Sequence, residues 1–260
     1  MSLNPEVAAM YANIHGAMPA PTAPPCIHSG LDYESGGSHK GALQKTISEV
    51  VTRADIRAGQ TVLDAGCGYG ATAFWITDHV PGVHVIATNI VEDQLRTAQQ
   101  IAATRPSAQT GLHLSFMDYH EQGLLDGSID RILFVDSLGH AQDPQKVLGE
   151  ARRVSAPDAR IVISDYFPTD DGDHLFRRQW LNPPVDEVVG MLDQLGFAVT
   201  IENMTPRAIR STEYLSGVIF RRHAQIIPQL TTALEEYVDL PRQMKAGNAG
   251  YYFITADVNG

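Results

Sequence analysis

Along the 260-residue chain, short apolar runs alternate with stretches whose apolar side chains recur every three or four positions. The runs at 60–65, 83–89, 112–118, 129–137, 159–167, 197–205 and 250–258 predict seven strands. Helical spacing predicts helices over 42–54 (Leu43, Ile47, Val50, Val51), 71–80, 91–104, 144–154 and 184–196, the last closed by Gly196, and a long helical stretch over 206–240. Strand–helix alternation of this kind predicts a parallel α/β sheet, with ligands at the carboxyl ends of its strands. Tyr251 and Tyr252 alternate on the last strand, so one should face each side.

The first 41 residues break the pattern. AMPAPTAPPCIHSG is proline-rich and cannot be a regular helix. Yet the segment carries Tyr11, Ile14, Ile27 and Tyr33, more apolar content than a solvated tail needs. It is expected to cover a site, residues 42–260 forming one α/β domain with the 206–240 insertion as part of the roof. A disordered tail is the alternative. No internal repeat or low-complexity tract stands out.

The hydrophobic fraction, 43%, is enough for a packed core. The formal net charge of −11, without a lysine–arginine run, argues against nucleic-acid and anionic-membrane partners. Two cysteines, Cys26 and Cys67, are no disulfide framework and suit a reduced, cytoplasmic protein. The start MSLNPEVAAM lacks the basic and apolar regions of a signal peptide. No run approaches the ~18 apolar residues of a membrane span.

The most specific stretch is VLDAGCGYGATA, Val62 to Ala73. An apolar run meets Asp64, and Gly66, Gly68 and Gly70 follow at every second position before a helix-compatible run. Glycine allows a sharp turn and lets a ligand approach without a Cβ in the way. The helix start beyond offers free N–H groups. Gly66, Gly68 and Ala71 also satisfy the GxGxx(G/A) pattern of dinucleotide sites, so the glycines alone leave two cofactor classes. Asp64 stands where a dinucleotide fold usually has an apolar or small residue, and Ala87-Thr88-Asn89 lacks an acid for a dinucleotide ribose.

The stretch resembles the first motif, (D/E)xGxGxG, of the class I S-adenosylmethionine (SAM)-dependent methyltransferases, and the likeness runs from about Ala42 to the C-terminus. It implies a Rossmann-like sheet in the order 3-2-1-4-5-7-6 with the last strand antiparallel, SAM as methyl donor and S-adenosylhomocysteine (SAH) as product. It also implies that Asp64 serves the network around the methionine ammonium, and that Gly66, Cys67 and Gly68 pass beneath methionine and ribose. Asn89 replaces the ribose-binding acid of most relatives; TNIVEDQL, 88–95, resembles the small-molecule branch of sterol, tocopherol and rebeccamycin-sugar methyltransferases. Ile90 and Gln94 lie on the same helix entry, Gln94 within reach of adenosine. Asp118 would accept from the adenine amino group while the Tyr119 N–H donates to the ring; a plain turn acid is the other reading of Asp118. Asp136 or Ser137 would come close to the methionine end, and Tyr11 resembles lid tyrosines that close over SAM.

The resemblance extends to chemistry. VDSLGHAQDPQKVLGEARRV resembles the turn and helix in which relatives of the rebeccamycin sugar enzyme aim a histidine at the acceptor, and His140 holds that place. A histidine can take a hydroxyl proton near neutrality; fixing the Asp143-Pro144 turn is the alternative. Asp165, at the end of strand five, could orient His140. For a carbon acceptor, Asp136 or Asp165 would remove the last proton, and Arg177-Arg178 could meet a diphosphate if they are not simply a solvated helix face. Tyr166 and Phe167 face either pocket or core. His15, His28 and His39 with Cys26 fit no ordered zinc spacing and read as lid contacts, so no metal is expected. The expected function is O-, N- or C-methylation of a small molecule in specialised metabolism, with C-methylation of an isoprenoid diphosphate as one alternative. A non-methylating SAM-binding cyclase or regulatory subunit is the other, and association of identical copies is left open.

Overall fold

A computed structural model describes residues 28–34, 37–169, 182–220 and 231–259. Tyr11, Cys26 and the Arg177-Arg178 pair lie outside the described residues. The elements run α1 (His39–Ala54), β1 (Thr61–Ala65), α2 (Ala71–His79), β2 (His84–Asn89), α3 (Glu92–Ala102), α4 (Pro106–Gly111) and β3 (Leu112–Phe116). They continue with β4 (Ile129–Val135), α5 (Pro144–Val154), β5 (Ser155–Pro168), α6 (Val185–Gln194), β6 (Phe197–Asn203), α7 (Thr205–Tyr214), α8 (Thr231–Ala246) and β7 (Ala249–Val258). One seven-stranded sheet has the order β3-β2-β1-β4-β5-β7-β6, as expected. Strands β1 to β5 pair in parallel, and β7 runs antiparallel to both β5 and β6.

Successive strand residues point to opposite faces, so each apolar run feeds two cores. Val62, Leu133, Val162 and Phe253 pack beneath α1, α2, α7 and α8, through Ile47, Val50, Ile76, Ala208 and Leu240. Leu63, Phe134, Ile163 and Ile254 meet Val147, Leu148, Val188 and Leu192 of α5 and α6 on the other side. Tyr166 and Tyr251 belong to the first layer; Phe167 and Tyr252 belong to the second, as the alternation of Tyr251 and Tyr252 requires. Gly196 takes φ +83° just after α6, the left-handed closure its position suggests.

The differences from the sequence expectation lie at element ends. Strands β3, β4 and β6 each stop two residues early, which releases Met117, Asp118, Asp136 and Ser137 into loops. β5 starts at Ser155, directly after α5, because Ser155 already pairs with Ile129. The short α4, started by Pro106, fills the space expected to be loop. In the stretch expected to be one long helix, a π-turn at Leu215–Phe220 follows α7.

The segment before α1 is strapped across the sheet's carboxyl edge. Ser29 N–H donates to Asp136 Oδ2 (2.6 Å), Gly30 N–H to Ser211 Oγ (3.0 Å), and Leu31 is buried in the first core. Arg207 on α7 then clasps Asp32 and Glu49, which ties strap, α1 and α7 together at the surface.

Candidate active site

The cleft opens above the carboxyl ends of β1 and β4, where the sheet order reverses and connections leave in opposite directions. It encloses about 840 Å³ of space counting its open mouth. Its floor is the glycine turn after β1. Gly66 has φ +79°, and a Cβ there would sit 2.6 Å from Ser137 Cβ, so only glycine fits without displacing the β4 loop. The Gly66 and Cys67 N–H groups both donate to Thr88 O (2.9 and 2.8 Å), and Ser137 Oγ donates to Ala65 O (2.7 Å). The turn is thus clamped between the ends of β2 and β4.

Asp64 lies at the end of β1 and is 1% exposed. The Ala73 N–H of α2 donates to its carboxyl, and Oδ2 has no partner among the described residues. Burial pushes the carboxyl up to about 7. Such an acid is poised for a cationic donor group entering the cleft. Asn89 ends β2 with its amide engaged by the chain: Nδ2 donates to Gln94 Oε1 (2.7 Å) and Gly68 O (3.3 Å), and Oδ1 accepts from Ile90 N–H (2.9 Å). Gln94, also in the wall, bonds the Tyr69 hydroxyl.

On the β4 side, Asp136 adopts φ +48°, a strained conformation for a non-glycine residue. Its Oδ1 accepts from Tyr251 OH (2.7 Å) and its Oδ2 from the strap at Ser29. Burial, then the neighbouring Asp165 charge, raise its pKa well above the carboxylate range. Asp165 is fully buried; it accepts from Gly139 N–H and Tyr166 N–H, both at 2.8 Å, and burial pushes it up to about 7. Through Gly139 it holds the 3₁₀ turn Leu138–His140, which presents His140 to the cleft.

Of the residues expected at a site, Asp64, Gly66, Cys67, Gly68, Asn89, Ile90, Gln94, Tyr119, Asp136, Ser137 and His140 line this one cleft. Asp118 and Asp165 do not line it. Asp118 Oδ1 instead accepts from His120 N–H and lies 2.7 Å from His120 Nδ1, while Asp143 N–H donates to His120 Nε2 (3.4 Å). Asp165 acts from behind the wall. Tyr69, Thr72, Val91, Met117 and Val135 also line the cleft and escaped the sequence reading, and so does His28, which the sequence placed among lid contacts. Met117 and Val135 flank expected site residues and could have been inferred from them. His28 reaches the cleft through the strap bond of its neighbour Ser29 to Asp136. Among the described residues no three His, Cys, Asp or Glu side chains gather as a metal site, and no helix is long and apolar enough to cross a membrane.

Comparison with known proteins agrees with this geometry. Residues 63–163 match the family model of the methyltransferase domain. The chain is 30% identical over 122 residues to the methyltransferase GfsG of Streptomyces halstedii, covering 47% of this chain but only 43% of that protein. It is 29% identical over 213 residues to the O-methyltransferase rstn1 of Aspergillus nomiae, covering 76% and 93% of the two chains. The solved [4+2]-cyclase SpnF superposes with a TM-score of 0.80 at 18% identity, over 97% of this chain and 93% of that one, a likeness of fold. Residues 63–163 are thus similar to a methyltransferase domain, and the sheet order is that of the class I, SAM-dependent methyltransferase fold. SAM is the cofactor of that class, and the wall suits it: a buried acid with one unpartnered oxygen beside a glycine turn where Gly66 leaves no room for a Cβ.

Proposed function

We propose that the protein transfers the methyl group of SAM to a small-molecule acceptor, with a hydroxyl as the preferred nucleophile. The observation that carries the proposal is the buried, half-paired Asp64 beside the glycine turn, in a cleft with no lysine or arginine among its described lining residues. That wall favours a ligand with a net cationic centre and disfavours the pyrophosphate of a dinucleotide. The O-methyltransferase rstn1 supports the choice of acceptor atom.

SAM supplies an activated methyl group on a sulfonium, so the chain has to align the acceptor and exclude water. Asp64 accepts from the methionine ammonium, and Gly66, Cys67 and Gly68 floor the methionine and ribose. Asn89, Ile90 and Gln94 form the ribose wall. Tyr119 N–H meets the adenine ring with Asp118 beside it, and Ser137 bounds the methionine end. His140 takes the acceptor's proton, Asp165 sets the turn that aims it, and Asp136 provides a carboxyl near the reacting centre. The strap bonds of Ser29 and Gly30 support a covering role for the described part of the N-terminal segment. A cytoplasmic setting fits a free thiol at Cys67 in the cleft.

Calorimetry tests the cofactor directly. SAM and SAH should bind in the micromolar range and NADH should not; tight NADH binding without SAM binding rejects the proposal. Non-methylating use of the same cleft remains the second reading, supported by the likeness in fold to a cyclase.

A further inference from the structure

Two acceptor atoms in the cleft wall are buried without a partner among the described residues: Asp64 Oδ2 and His28 Nε2. The second belongs to a residue that the proposed mechanism does not use. His28 is 6% exposed, and its Nδ1 lies 2.9 Å from the Ser29 carbonyl oxygen. A carbonyl only accepts, so Nδ1 carries the hydrogen and Nε2 presents a lone pair. Burial also pulls the imidazole down to about 4, which keeps the ring neutral at physiological pH. The platform under it is fixed. Ser29 N–H is held by Asp136, Ser29 O accepts from Thr46 Oγ1 (2.7 Å), and Ser29 Oγ accepts from Tyr166 OH (2.8 Å).

A buried, unpartnered acceptor on a residue that lines the cleft calls for a donor from the ligand. Position selects which donor. Asp64 ends β1; β1 pairs with β4, and Asp136 just beyond β4 ties down the strap that carries His28. The adenine side lies away from here, across β2 and β3. At the methionine end the cofactor has one group rich in donors and without acceptors, its ammonium.

We infer that His28 Nε2 accepts a hydrogen bond from the methionine ammonium of the cofactor and shares that group with Asp64. The inference rests on the SAM reading of the cleft. It makes the strap a reader of the free amino group, because a neutral ring with its hydrogen on Nδ1 cannot donate to the carboxylate.

The test is calorimetry on the full chain with SAH and with 5′-methylthioadenosine, which keeps nucleoside and thioether but lacks the amino acid. His28→Phe should weaken SAH on the order of 10- to 100-fold, the worth of a hydrogen bond to a charged group. Methylthioadenosine should stay within about twofold, since it never had that bond. His28→Gln, whose amide oxygen can accept, should recover part of the loss. Unchanged SAH binding in His28→Phe, or equal losses for both ligands, overturns the inference. Nitrogen-15 histidine spectra of the wild-type SAH complex give an answer even if the variants fold poorly. The expected ring has a bare Nε2 and a protonated Nδ1; a doubly protonated ring or the opposite tautomer overturns it. Wild-type protein that binds neither SAM nor SAH would instead reject the SAM reading itself.

Discussion

Replacing Asp64 by Asn keeps the shape of the β1 end and removes its charge. The carboxyl is 1% exposed, one N–H donates to it, and one oxygen has no partner among the described residues. Asparagine can still accept from Ala73, but it offers the methionine ammonium no carboxylate. A charge-assisted bond is worth about 1.5–3 kcal/mol, so SAM affinity should fall about 10- to 150-fold. Proton linkage gives a second signature. With a carboxyl near 7, free wild-type protein at pH 6 holds mostly the acid, and the ammonium selects the carboxylate. Binding at pH 6 should therefore release close to one proton from this site, and affinity should rise up to about tenfold per pH unit until it levels above 7. Stability without ligand runs the other way. The folded-state pKa lies above the unfolded one, so this group's stabilising contribution is complete below about pH 4 and is lost as pH rises through about 7. That loss is on the order of 2–3 kcal/mol between pH 5 and 8. Asp64→Asn should show a flatter pH–stability curve than wild type, by about that amount. Calorimetry in buffers of different ionisation enthalpy, with thermal melts from pH 5 to 8, measures all three effects. Wild-type SAM affinity in the variant, with the same proton release, would refute the assignment of Asp64.

Other perturbations reach the remaining parts of the cleft. Gly66→Ala places a Cβ 2.6 Å from Ser137 Cβ at φ +79°, so SAM affinity should drop at least about tenfold and the melting temperature should fall; unchanged binding would contradict the floor described here. Asp165→Asn puts an amide where Gly139 and Tyr166 N–H groups donate. It should cost about 1–3 kcal/mol of stability and lower turnover more than SAM affinity, as melts and kinetics can separate. His140→Ala should cut turnover of a hydroxyl acceptor about 10²–10⁴-fold, with SAM affinity nearly unchanged and partial recovery at high pH. Full activity in that variant, with loss in Asp136→Asn, would point to a carbon acceptor.

The sheet was legible because its strands are buried on both faces, so Val62-Leu63 or Val162-Ile163 could hardly be anything but interior. The glycine floor was legible because three alternating glycines after an acid leave few physical alternatives. Element ends were less so: Ser155 joins β5 only through a partner, Ile129, distant in sequence. The strap was the least legible. His28 reaches the cleft because Ser29 bonds Asp136, Thr46 and Tyr166, contacts across up to 137 positions that no local pattern encodes. The same holds for Tyr251, whose hydroxyl crosses from β7 to support Asp136. Asp118 shows the converse: its position at a strand end suggested ligand contact, yet among the described residues it pairs with His120, two residues on.

The central claim is methyl transfer, and SAM carrying a deuterated methyl group tests it most directly. The purified protein, SAM so labelled and a small-molecule metabolite extract should yield SAH and, in equal amount, a product heavier by the labelled methyl group. Binding of SAM with no SAH formed, while a product of the same mass as its precursor accumulates, would contradict methyl transfer and leave the fold to a different chemistry.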